Sequence, residues 1–170
     1  MIKILNDVIS GMLNVFNEHK NTGSVGCRLH FEDNTVQHDG IFISLSRKNN
    51  SFGLGHLNFK NYYNYHNNLK EVIGSTGGLL LVRKTTFIKQ GMFNENYISC
   101  LEDVELNIKL LCGNHKNYIC GDCVAYHYES QTRNKDPKKD EEFLYDYNHN
   151  FIPMINKNVI EKIKDKIIII

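Results

Sequence analysis

Two apolar rhythms alternate along this chain. Val8, Ile9, Met12, Leu13 and Phe16 recur at helical spacing with Ser10, Asn14 and Glu18 opposite them. An amphipathic helix is therefore expected, capped by Asn6 or Asp7 and ended by Asn21-Thr22-Gly23. Ser24 to Phe31 reads as a short strand, and Glu32-Asp33-Asn34-Thr35 behind it is turn chemistry. Val36 to Leu45 is a further extended stretch, interrupted at Asp39-Gly40. Residues 46–70 are polar, rich in Asn, Tyr and Gly and without a period, which reads as one long functional or mobile loop.

Leu79-Leu80-Leu81-Val82, following Gly77-Gly78, is a continuous apolar run of the kind buried on both faces of a sheet. Thr85 or Thr86 is expected to cap a short helix ending at Gly91. Asp103 to Leu111 is a stronger helix, apolar at Val104, Leu106, Ile108, Leu110 and Leu111, with Gly113 as its C-cap. Glu102 and Asp103 fall at its start, where free amides and the helix dipole favour carboxylates. Tyr118-Ile119 and Val124-Ala125-Tyr126 are short strands leading to His127, and residues 138–150 and 154–166 suit two helices divided by Pro153. Strands interleaved with helices give the α/β class. A chain of 170 residues is the size of one domain, here residues 1–137 with a helical extension, 138–170, of the same domain.

Composition narrows the function classes. With 41% hydrophobic and 23% charged residues the chain is an ordinary globular protein, and a net charge of +1 offers no electrostatic case for nucleic acid. The basic run Lys135 to Lys139 contains Asp136 and is followed by Asp140, Glu141 and Glu142, a solvated surface pattern. No stretch approaches the roughly 20 apolar residues that span a bilayer. Ile167 to Ile170 is only four residues long, the Lys/Glu-rich segment before it reads as a helix end or a tail, and the N-terminus lacks a signal-peptide pattern, so a cytoplasmic location is expected. Five cysteines, an odd count, argue against a disulfide framework. Cys120-Gly121-Asp122-Cys123 has the spacing of half a zinc site without a second pair, and buried thiols flanking a turn are the favoured reading.

Three blocks carry the chemistry. The first is Val25-Gly26-Cys27-Arg28-Leu29 with Asn34-Thr35-Val36-Gln37-His38-Asp39-Gly40. The second runs from Glu71 through Ser75-Thr76-Gly77-Gly78 to Arg83, followed by Gly91-Met92-Phe93-Asn94-Glu95. The third is Glu102-Asp103-Val104-Glu105-Leu106 with Tyr126-His127-Tyr128-Glu129-Ser130-Gln131-Thr132-Arg133. In this order, over residues 20–137, they resemble the C-terminal, acceptor-side half of the family-2 glycosyltransferases, which have the GT-A fold.

The resemblance implies transfer of a sugar from a nucleotide-sugar to a glycan or other acceptor by an inverting mechanism. Asp103 would be the general base, with Glu102 beside it. The same Asp is also what a plain helix start carries. His127 resembles the family histidine near the donor's diphosphate and its Mn²⁺ or Mg²⁺. Glu129 and Arg133 would bind substrate, Arg133 as a phosphate partner. Thr76, Gly77 and Gly78 would let backbone approach the acceptor, although glycines there equally suit strand packing. Gln37 and His38 fall in a family motif, with a structural role favoured.

The family's D-x-D motif is absent from the sequence, and the implied mixed sheet is truncated, without its nucleotide-binding half. A partner chain or a second copy is then expected on the exposed sheet edge. The rival expectation is a non-catalytic carbohydrate-binding or oligomerising module, with Tyr62, Tyr63 and Tyr65 as stacking surfaces.

Overall fold

The computed structural model describes residues 2–5, 7–58, 68–128 and 137–170. The order of its strands and helices bears out the α/β expectation. A short strand β1 (Ile2–Ile4) leads into helix α1 (Val8–Glu18), whose first turn is capped by the Asp7 carboxylate accepting from the Ser10 amide. Strand β2 (Thr22–His30) begins inside the segment expected to end the helix, and all nine of its residues are buried. Strands β3 (Val36–His38), β4 (Ile41–Ser46) and β5 (Ser51–His56) follow, then β6 (Lys70–Val72), a 3-10 turn at Gly77–Leu79 and β7 (Leu80–Val82). Helices α2 (Lys84–Lys89) and α3 (Glu102–Cys112) precede the long strand β8 (Lys116–His127). The chain closes with α4 (Pro137–Asp146), a π-helical turn at Tyr147–Phe151, α5 (Ile152–Met154), α6 (Lys157–Ile163) and β9 (Ile167–Ile169).

The main sheet is mixed. In the order β1-β8-β2-β3, β8 runs parallel to β2 and antiparallel to β1, while β6 pairs with β8 and β7 with β2. Successive residues of β2 point to opposite faces. Val25, Cys27 and Leu29 join Val8, Met12, Val15 and Phe16 of α1 in one apolar cluster. On the other face Ser24 bonds Asn107 of α3, and Gly26 packs on Ser75. A second core, with Ile41, Ile43, Val104, Ile108, Phe151, Ile155 and Ile163, joins β4 and α3 to the C-terminal helices. Residues 138–170 thus share a core with the preceding segment.

Four expectations are corrected. Residues 46–70 are not one loop: β5 forms a hairpin with β4, in register from Ile41↔His56 to Ser46↔Ser51. Gly53 and Gly55 in β5 leave room for Ser44 and Phe42, whose side chains a Cβ at either glycine would strike. Leu80 to Val82 is a three-residue strand paired to β2 and only half-buried rather than enclosed on both faces. Arg83 precedes α2 without a side-chain cap, which places Thr85 and Thr86 inside the helix. Pro153 does not divide the last helices; it sits in the first turn of α5, where a missing N–H costs little. The break comes at Asn156, whose side chain accepts from the Asn158 and Val159 amides. Beyond α6, Ile167 to Ile169, for which no element was expected, form a strand parallel to β4.

Candidate functional site

The acidic pair sits where α3 begins. Leu101 holds a left-handed conformation (φ 75°) and reverses the chain into the first turn, leaving Glu102, Asp103 and Glu105 at the N-terminal end. The approach is fastened by Asp146, fully buried, whose carboxylate accepts from the amides of Ile98 (2.8 Å), Ser99 (2.9 Å) and Cys100 (3.2 Å). Asp103 is half-buried. Its Oδ2 accepts from the Gly77 amide at 2.5 Å and its Oδ1 from the Val104 amide at 2.7 Å. Each oxygen retains a second lone pair, so an acceptor hydroxyl can still donate to it. Burial in the first place, with the Asp103 charge adding to it, pushes the Glu102 carboxyl above the ordinary carboxylate range.

Behind this pair lies a chain of polar contacts that joins α3 to the sheet. Asn107 is fully buried; its Nδ2 donates to the carbonyls of Ser75 (2.9 Å) and Asp103 (2.8 Å), and its Oδ1 accepts from Ser24 Oγ (2.6 Å). Asn117 Nδ2 donates to the carbonyls of Ile73 and Asn107. The segment 73–78 is thus tied to α3 at several points. A Cβ added to Gly74 would lie 2.4 Å from the Asn107 side chain, so that glycine is needed for packing.

Gly77 and Gly78 differ. Both are exposed, and a Cβ at either would make only ordinary contacts, at 3.4 Å from Asp103 Cβ and 3.6 Å from Thr76 Cγ2. That Cβ on Gly78 would also lie 3.8 Å from His127 Cε1, so the two glycines form a bare stretch of backbone between Asp103 and His127. Of the two readings left open for these glycines, packing is not what requires them.

Next to this turn is a cavity of about 280 Å³ lined by Leu29, Gln37, His38, His56, Asn58, Thr76 and His127. His127 ends β8, and its Nδ1 lies 3.1 Å from Gln37 Oε1. An amide oxygen only accepts, so Nδ1 carries the proton and the basic lone pair is on Nε2. His38 is 1% exposed; its Nε2 accepts from the Thr76 amide (3.2 Å) and meets Ser75 Oγ (3.2 Å). Its Nδ1–H then points at His56 Nδ1, 2.7 Å away. Burial above all, and after it the neighbouring His56, His127 and Lys70, holds His38 down to about 3, so it is neutral at neutral pH.

The structure brings Asp103, Thr76, Gly77, Gly78 and His127 together, while Glu102 precedes Asp103 at the start of α3. Glu129 and Arg133 lie outside the described residues, as do Tyr62, Tyr63 and Tyr65. Gln37 and His38 were given a structural role, yet both line the cavity. His56 was missed because its strand was read as loop, although Phe52, Leu54 and His56 alternate with small residues in the period of a strand.

A divalent cation tests poorly here. Among the described residues no group of three or more His, Cys, Asp or Glu side chains converges to hold one. His127, oriented by Gln37, fits as a single nitrogen ligand, and the described residues alone do not make the site.

No family model matches the chain. It is 24% identical over 127 residues to the O-antigen biosynthesis protein RfbC of Myxococcus xanthus, covering 74% of this chain and 10% of that protein. It is 28% identical over 116 residues to the uncharacterized protein y4gI of Sinorhizobium fredii (strain NBRC 101917 / NGR234), covering 65% of this chain and 12% of that protein. The chain therefore spans about a tenth of the length of these curated relatives. Among solved structures it is similar to GalNAc-T7 with UDP, GalNAc and Mn²⁺, at a TM-score of 0.51 and 11% identity, over 75% of this chain and 26% of that one. Mixed sheet, flanking helices and this neighbour together give the chain a glycosyltransferase-like fold of the GT-A type.

Proposed function

We propose that this chain carries the acceptor-side catalytic face of an inverting, family-2 type glycosyltransferase, with Asp103 as general base. The observation that carries this reading is the bare Gly77-Gly78 backbone between a fixed carboxylate and a fixed imidazole. An acceptor hydroxyl lying along that turn would give its proton to Asp103 as its oxygen bonds the anomeric carbon. The bond from that carbon to the nucleotide's phosphate oxygen breaks, and its electron pair leaves with the diphosphate. Two amides orient the Asp103 side chain. Glu102, its carboxyl raised by burial, stands beside Asp103 as the second carboxylate of the catalytic pair. Thr76 lines the cavity and orders the turn, accepting from the Gly78 amide.

His127 faces the donor's diphosphate end in this reading, and a divalent ion, when bound there, would neutralise phosphate charge. The cation bound by the structural neighbour supports this role; the remaining ligands come from the donor or from other segments. Glu129 and Arg133 are assigned to substrate binding by resemblance alone. We place a donor-binding segment or partner chain on the edge at β1, where Ile4 and Leu5 are exposed.

The experiment is a titration of the chain, together with a donor-binding segment, with UDP-sugars with and without Mn²⁺, followed by a titration with glycan alone. Metal-dependent nucleotide binding that perturbs His127 and Gly78 supports the enzyme. Glycan binding without any nucleotide response overturns it in favour of a carbohydrate-binding module.

A further inference from the structure

Away from the acidic turn, on the α1 side of the sheet, the Cys120-Gly121-Asp122-Cys123 segment forms an arrangement that sugar transfer does not use. Cys27 pairs with Cys120 and Arg28 with Val124, so residues 121–123 are extra in β8 and bulge out of the β2–β8 pairing. The bulge turns the two cysteines toward one another, with sulfurs 2.7 Å apart. That is a short step from the roughly 2.05 Å of a disulfide. Because the bulge is outside the ladder, closing this gap leaves the flanking pairs in place.

The two thiols have unequal surroundings. Cys123 is 3% exposed, packed against Gly11 of α1, with its S–H between Cys120 Sγ and the Val8 carbonyl at 3.6 Å. Cys120 is half-buried and opens into a cleft of about 370 Å³ bounded by Asp7, Asn14, Glu18, His19 and Asp122. Donation from Cys123 holds the Cys120 thiol down to about 7, while the same bond and burial push Cys123 up. One sulfur is thus half-buried at the cleft and ionisable, and the other is buried beside it.

We propose that Cys120 and Cys123 form a dithiol site that exchanges with small-molecule disulfides of the glutathione class. The Cys120 thiolate attacks one sulfur of the disulfide, forming a mixed disulfide and expelling one thiolate, which takes up the first cysteine's proton. Cys123 then attacks Cys120 Sγ, closing the internal disulfide and expelling the second small thiol with the second proton. Two protein thiols are oxidised to one disulfide, and one small disulfide is reduced to two thiols. The cleft on the Cys120 side is the entry route, and Cys123 is the resolving residue.

The test is equilibration of the full chain with mixtures of reduced and oxidised glutathione, acid quenching, and peptide mapping of all five cysteines. The expected product is an internal Cys120–Cys123 disulfide that becomes the major species before Cys27, Cys100 or Cys112 is modified. In Cys123→Ser the expected product is a stable glutathione adduct on Cys120. Wild-type chain needs no variant to decide the matter: dominant glutathione adducts at other cysteines, or Cys120 in an adduct that never resolves, would overturn the proposal. Alkylation in native buffer gives a second reading. Lowering a thiol from 9 to about 7 raises its thiolate fraction at pH 7 about 50-fold, and weaker nucleophilicity returns about 8-fold. Cys120 should therefore react roughly 6-fold faster than an ordinary exposed thiol, and a rate below that of Cys112 would contradict the site.

Discussion

Replacing Asn107 with alanine tests whether the polar contacts beneath the acidic turn hold that turn in place. The side chain makes three hydrogen bonds, to Ser24, Ser75 and Asp103, in a site closed to solvent. Each contributes about 0.5–1.5 kcal/mol net, and a buried polar group left without a partner costs about 1–3 kcal/mol more. The Asp103 carbonyl keeps its place in the helix ladder, so the unmatched groups are the Ser75 carbonyl and the Ser24 hydroxyl. The two stranded groups alone come to about 2–6 kcal/mol, a large share of the roughly 5–15 kcal/mol that holds a domain folded. Urea unfolding should show that loss, with the Gly77 amide exchanging hydrogen faster than in the wild type. The isosteric Asn107→Asp adds a sign. A carboxyl buried against two carbonyls has its folded pKa raised above about 3.9, so the cost is small below that pH and grows as pH rises. A loss in Asn107→Ala below about 1 kcal/mol, or an Asn107→Asp variant more stable at pH 8 than at pH 4, would refute the reasoning.

Other outcomes follow from the same contacts. His38 titrates at about 3 when folded against 6.5 when free, so below 6.5 the unfolded chain binds the extra proton. Its contribution is complete above pH 6.5 and is lost as pH falls, about 2 kcal/mol by pH 5; His38→Gln should flatten that slope in urea midpoints measured across the window. Gly26→Ala places a Cβ 1.9 Å from Ser75 Oγ and should destabilise the fold severely in the same assay. Gly77→Ala and Gly78→Ala should unfold like the wild type yet weaken acceptor binding, because the added methyls stand on the bare turn. Asp146→Ala removes the acceptor for three amides ahead of α3 and should shift the crosspeaks of Leu101 to Asp103 most in an amide spectrum.

What the sequence revealed follows from the range of the interactions involved. Helices α1 and α3 were legible because their apolar periods and end residues act within a few positions. The position of Asp103 at a helix start came with α3. Strand β9 was not legible: four isoleucines after a charged segment become a strand only through pairing with β4, more than a hundred residues earlier. The half-burial of Leu80 to Val82 likewise depends on which strands flank it. Pro153 misled because a proline inside a helical pattern usually ends it, whereas here it falls in a first turn behind a π-helical one. At the site, Gln37 acquires its meaning only when β3 brings it to His127, and His56 only when the β4–β5 hairpin lays it on His38. Side chains that act by convergence carry no local signature.

The central claim is that Asp103 takes the proton from an acceptor hydroxyl. The measurement that meets it most directly is sugar transfer by the chain assayed together with a donor-binding segment, wild type against Asp103→Asn. Asparagine preserves size and can accept from the Gly77 amide through its one oxygen, so folding and acceptor affinity should stay near wild type. Turnover should fall by about 10²–10⁴-fold, the usual contribution of a positioned general base. Near-normal turnover in the folded variant would contradict the account.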